Sequence, residues 1–226
     1  MNKNLFEYTL RLGDTSLILS QRLGEWCGHG PVLEEDIALT NIALDLLGQA
    51  KAFLAYAGEI EGKGRSEDSL AFHRDANQFR NMLLTEQPNV DFGCTIVRQL
   101  FVSAWQHYLY SELTQSTDKN ISALAVKSLK EVNYHLRYAS DWTMRLGDGT
   151  EESHQRMQNA VNELWNFTGD LFEIDQIDEE LLKLGIAADM KKVEENWNKH
   201  IRLVLSDATL SVSEINNFMR TGSRKG

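Results

Sequence analysis

Apolar residues recur along this chain at helical spacing, and nowhere do they alternate with period two over the length of a strand. The first periodic segment covers about 5–26, where Leu5, Tyr8, Leu12, Leu19, Leu23 and Trp26 fall on three-, four- and seven-residue steps. Gly28, Gly30 and Pro31 break it. Glu34, Glu35 and Asp36 then suit the positive start of a second helix. That helix reaches about position 56 and is apolar almost all round (Ile37, Leu39, Ile42, Leu44, Leu46, Leu47, Phe53), which predicts a central rather than a peripheral place. A loop is expected over 58–65, followed by a third, more polar helix over 67–85. A fourth helix is expected over 92–114 and a fifth over 121–146. Thr150 is the natural cap of a sixth helix over 151–172, and shorter helices follow at 179–184 and 189–206.

Composition sharpens this picture at one point. Only 2 of 226 residues are proline, where about 5% is usual, so long unbroken helices are favoured over a turn-rich β fold. The reading is all-α: a ferritin-like four-helix bundle with additional C-terminal helices, in a single domain over residues 1–226. The third helix lies in a crossover between two antiparallel pairs. Charge excludes more. The formal net charge is −10, and the short basic stretch from Arg220 to Lys225 reads as a solvated end, so no nucleic-acid partner is expected. No uninterrupted apolar run of about 18 residues marks a membrane span, and Glu7, Arg11 and Asp14 interrupt anything like a signal peptide. Cys27 and Cys94 lack metal or disulfide spacing and read as two buried thiols of a cytoplasmic protein.

Chemistry could lie on the second and fifth helices. Asn41, Asp45 and Gln49 form one polar line at four-residue spacing. They are either a satisfied core network, one wall of a metal or substrate pocket, or a solvated or interface-facing edge. Glu131 and His135 share a face of the fifth helix; they are a surface ladder with Lys127, a buried cluster facing Asp45, or metal ligands. A carboxylate-bridged di-iron bundle asks for a lone Glu from each of two helices and Glu-x-x-His from each of two others. Here Gly48 and Tyr134 stand where the histidines belong. His135 is one residue late, about 100° of helix away, and the lone carboxylates are missing. Glu151 and His154 form a literal Glu-x-x-His at a helix start, without a partner motif. Gln106 and His107, beside Trp105 and Tyr108, are pocket or core residues.

Several strings carry a resemblance: Tyr8-Thr-Leu-Arg-Leu-Gly-Asp14, Leu19-Ser-Gln-Arg-Leu-Gly-Glu-Trp-Cys-Gly-His29, Leu44-Asp-Leu-Leu-Gly-Gln-Ala50, Leu84-Thr-Glu-Gln-Pro-Asn89 and Lys130-Glu-Val-Asn-Tyr-His-Leu-Arg137. The chain resembles the C subunits (PaaC) of bacterial ring-1,2-phenylacetyl-CoA epoxidases over its whole length, through Thr221 to Gly226, with a trimmed C-terminal tail. The resemblance implies a structural, non-catalytic subunit of an NADPH- and O2-dependent oxygenase complex in aerobic phenylacetate breakdown. It would hold no catalytic, cofactor or metal residues of its own, with Asp45, Glu131 and His135 as relics bonded to each other or to water. Implied partners are the di-iron catalytic A subunit, the other epoxidase subunits and the reductase, with self-association as a homodimer when they are absent. Helices one and two are the expected partner surface. The alternative is a metal-dependent oxygenase in its own right, built on Asp45, Glu131 and His135.

Overall fold

The structure is a computed structural model and describes residues 2–212; Arg220 to Lys225 and the last stretch of the resemblance lie outside them. Among the described residues there are helices and no strands. Four long helices form the bundle: α1 (Asn2–Gly24), α2 (Leu33–Glu61), α5 (Phe92–Leu113) and α6 (Lys119–Gly147). Between α2 and α5 run the short helices α3 (Glu67–Phe72) and α4 (Leu83–Glu86), and after α6 come α7 (Glu151–Leu164), α8 (Gln176–Lys183) and α9 (Met190–Asp207).

Side-chain contacts define the topology. Ser20 Oγ donates to the Ala43 carbonyl at 2.8 Å, and Gly13 lies so close to Leu54 that an added Cβ would stand 2.8 Å from its Cδ2; α1 and α2 are therefore antiparallel and in tight contact. Trp26 and Thr95, then Ser16 and Gln106, set α1 antiparallel to α5. Phe92 against Trp142 and His107 against Asn133 set α5 antiparallel to α6. The order is up-down-down-up with one long crossover, the ferritin-like arrangement.

Local chemistry places most helix ends where the sequence puts them. Asp91 accepts from the Cys94 N–H at 2.7 Å to start α5, Asp118 caps α6, and Thr150 accepts from the Ser153 N–H at 3.2 Å to start α7. Gly62, with φ +70°, closes α2 at Glu61, about five residues beyond the expected end, because the left-handed cap falls to the second glycine of the segment and not to Gly58.

The third expected helix does not form as one unit. It is divided into α3, a 3-10 turn at Ala76–Gln78 and α4. The cause is Asp14 on α1, which is fully buried. Its carboxylate takes two bonds from the Arg74 guanidinium and a third, at 2.9 Å, from the Arg80 backbone N–H. That N–H is thereby removed from any helical ladder. Arg74 also lies 4.2 Å over the Phe79 ring, and Asp75 with Gln78 makes a capping box inside the segment. The sixth expected helix likewise divides, at Leu164, into α7 and a 3-10 segment Trp165–Phe172.

The bundle's centre also differs from expectation. From Tyr8 to Leu17 every residue of α1 is buried, whereas α2 leaves Leu33 (72%), Ile37 (51%), Leu44 (59%) and Leu47 (45%) exposed. The apolar character of α2 therefore does not mean burial on all sides. By length and composition α2 could cross a membrane, with mean hydropathy 1.2 over its most apolar window. In the fold one face packs on α1 and the other is left open. Cys94 is buried, which pushes its thiol up to about 11, while Cys27 is exposed, correcting the expected pair of buried thiols.

The C-terminal helices brace this bundle. Trp197 of α9 is 1% exposed; its indole N–H donates to the Phe101 carbonyl at 2.9 Å, and its ring meets Phe101, Trp165 and Phe172. Arg11 of α1, 6% exposed, reaches Asp175 at 2.6 Å and Asp178 at 3.3 Å. Burial alone would raise the Asp175 carboxyl, but the Arg11 bond and backbone N–H bonds outweigh it and hold the group well below the usual range. A carboxylate with a depressed folded pKa contributes stability above the ordinary Asp range, and loses it as pH falls through the folded value. The urea midpoint should therefore fall on acidification below about pH 4, and part of that decline should disappear in Asp175→Asn.

Candidate functional site

Halfway along the bundle a polar layer crosses all four long helices. Tyr110 of α5, fully enclosed, points its hydroxyl at Gln49 Oε1 of α2, 3.5 Å away. Gln49 Nε2 donates to Glu131 Oε2 of α6 at 2.9 Å. Gln106 of α5 points Nε2 at Ser16 Oγ of α1, also at 3.5 Å. Burial pushes the Tyr110 phenol up to about 12, with Glu131 adding in the same direction against the bonds from Ser16 and Gln106, so the phenol stays a neutral donor.

One turn away along α2 and α6, His135 Nε2 and Asp45 Oδ2 meet at 3.0 Å. The imidazole is fully buried and the Asp45 side chain is 40% exposed. Asp45 therefore lies at the mouth of the α2–α6 seam, and His135 at its floor. Both α6 groups are turned toward α2 by the i, i+4 geometry of one helix face. This decides between the readings of Glu131 and His135: they form a cluster with α2, and Lys127 makes no ladder with them. Asn41, the outer member of the polar line, is exposed. Further along α6, Tyr138 donates a short hydrogen bond to Glu35; burial first, and that carboxylate second, raise its phenol pKa.

The donors do not suit a di-iron centre. Among the described residues no group of three or more His, Cys, Asp or Glu side chains converges to hold a metal ion. Apart from Glu131, the layer presents hydroxyls and amides, where two hard, highly charged ions would need several carboxylates and imidazoles. Asp45 and Glu131 are each committed to a different partner, and His135 points one nitrogen at Asp45 and buries Nδ1 without a protein partner. Outside this layer, His154 Nδ1 bonds the Gly147 carbonyl at 2.7 Å, tying α7 to the end of α6, and Glu151 stands exposed in the first turn of α7. His107 bonds Asn133 at 2.9 Å and Trp105 is buried in the core.

Sequence reasoning missed Ser16 and Tyr110. The available signal was a hydroxyl on each of α1 and α5 at the level of Gln49, which only the register between helices reveals. The fold and its central layer define a ferritin-like helical protein whose mid-bundle groups are mostly hydroxyls and amides, with Glu131 as the one carboxylate bonded into the layer. Similarity to known proteins then gives the particular relationship. The family described as "Phenylacetic acid catabolic protein" matches over residues 1–226, and the chain belongs to it. A relative from Escherichia coli (strain K12), the C subunit of 1,2-phenylacetyl-CoA epoxidase, is 51% identical over 222 residues, covering 98% of this chain and 89% of the relative.

Proposed function

We propose that this chain is the structural, non-catalytic subunit of a phenylacetyl-CoA 1,2-epoxidase, working in phenylacetate catabolism in the cytoplasm. It binds and stabilises the di-iron catalytic A subunit, within an assembly that includes the other subunits and the NADPH-linked reductase. The observation that carries the reading is the layer Ser16–Gln106–Tyr110–Gln49–Glu131. It keeps the geometry of a ferritin-like centre but fills it with groups that bond to one another. The similarity to the C subunit of the Escherichia coli epoxidase supports the same reading. Asp45, Glu131 and His135 are then relics. Their work is to satisfy buried polar groups, each of which would cost about 1–3 kcal/mol if left unpaired.

The partner surface in this reading is the exposed stripe of α2, with Leu33, Ile37, Leu44 and Leu47. A contiguous apolar patch of this kind marks an interaction site. The other expected surface, α1, is buried within the bundle from Tyr8 to Leu17, which favours α2. Anaerobic Fe(II) reconstitution followed by metal analysis tests the non-catalytic role. The chain alone should retain no stoichiometric iron, and the A subunit should need co-expression with it for full epoxidase activity. Stoichiometric iron that is lost on Asp45→Ala would establish the rival reading, an oxygenase centred on Asp45, Glu131 and His135.

A further inference from the structure

The solvent face of α6 stands apart from the rest of the molecule in its charge. Beyond its first turn, Lys127, Lys130, Arg137 and Arg145 all lie exposed on it, against one exposed carboxylate, Asp141. The chain as a whole carries −10. Elsewhere in the molecule the arginines are mostly engaged: Arg11, Arg22, Arg65, Arg74, Arg80 and Arg156 each meet a carboxylate. Among the described residues, none of the four α6 cations makes an ion pair. Two lie near aromatic rings of their own face, with the Arg137 guanidinium 6.0 Å from the Tyr134 centroid and that of Arg145 5.6 Å from Trp142. The carboxylates along the neighbouring seam are already committed, Glu131 to Gln49 and Asp45 to His135.

Position gives this stripe a use. Asp45–His135 and Gln49–Glu131 bring α2 and α6 side by side, so the basic stripe of α6 and the apolar stripe of α2 flank one seam. Tyr134 (41% exposed) and Val126 (46%) continue the apolar surface onto α6. We infer that α2 and α6 form one docking face with two halves: α2 supplies apolar area, and α6 supplies an electrostatic guide that selects a partner with an acidic face. An overall acidic chain that keeps four unpaired cations together on the rim of an apolar patch has the pattern that steers and orients association. A second copy placed with α6 against α6 would bring these cations together, which disfavours that pairing. The occupant is therefore a different protein with a carboxylate-rich surface, and on the function proposed above it is the catalytic A subunit.

The test uses the full chain and the purified A subunit, with association rate and affinity measured from about 50 to 300 mM NaCl. Lys130→Glu with Arg137→Glu reverses the stripe at exposed positions. Lys191→Glu with Arg202→Glu on α9 makes the same change in net charge elsewhere. For the unaltered chain the association rate should fall with salt, because screening shortens the reach of exposed charge. The α6 reversal should slow association by about tenfold or more and flatten the salt dependence, while circular dichroism and the α9 control stay close to the unaltered chain. Equal binding by the α6 reversal, or an equal loss in the α9 control, overturns the inference and leaves the function standing. Failure of the unaltered chain to bind the A subunit overturns both.

Discussion

Asp14→Ala should lower the stability of this protein by about 3–5 kcal/mol, the usual result of removing one half of a buried ion pair. For a chain of this size that is a fall of roughly 6–20 °C in melting temperature. Asp14 is 0% exposed and the Arg74 side chain 4%, so the guanidinium would lose its carboxylate with no water to replace it. The Arg80 N–H, held at 2.9 Å, would lose its acceptor as well. Burial raises the Asp14 carboxyl above its ordinary pKa, and the Arg74 bonds offset this only in part. The pair is therefore a means of fixing the crossover more than a source of net stability. Removing both halves, in Asp14→Ala with Arg74→Met, should cost less than Asp14→Ala alone. Differential scanning fluorimetry of the two variants decides it: a double variant at least as damaged as the single would mean that lost packing, and not an uncompensated charge, sets the cost.

The second large effect concerns assembly. Leu44→Glu with Leu47→Glu should weaken binding to the A subunit by about a hundredfold or more, since placing two carboxylates at the centre of an apolar interface loses its anchors, each worth about 2 kcal/mol where it is a hot spot, and desolvates unpaired charge. Folding should scarcely change, because Leu44 is 59% exposed and Leu47 45%, and surface changes of this kind usually stay within about 0.5 kcal/mol. Paired measurements of melting temperature and affinity separate the two effects. Full binding by a folded variant would move the partner surface away from α2.

How much of this was legible beforehand varies with the range of the interaction. The starts of α5 and α7 were, because Asp91 and Thr150 cap them through bonds to backbone only three residues away. The departure from the Glu-x-x-His pattern is a property of the sequence itself, because Gly48 and Tyr134 occupy fixed positions relative to Asp45 and Glu131 on single helices. The polar line on α2 was correct in content, but its three members separate in space: Gln49 enters the core, Asp45 stands at the seam and Asn41 faces solvent. The division of the third helix was not legible. It depends on Asp14, sixty positions from Arg74, and no local pattern carries that contact. Ser16 and Tyr110 were missed for the same reason.

The role of α2 turns on the same distinction. Its apolar residues all round are plain from the sequence and predict central burial. A helix that buries one side in its own bundle and keeps the other for a partner has the same composition as one enclosed on all sides. Residue types at short, fixed spacing were enough to establish the helical class, the helix ends with local caps and the family. Tertiary packing alone decided which face of α2 stays open, which donors meet at the centre, and that among the described residues the exposed cations of α6 make no ion pair. Each of these depends on the register between helices, which is set when distant side chains pack.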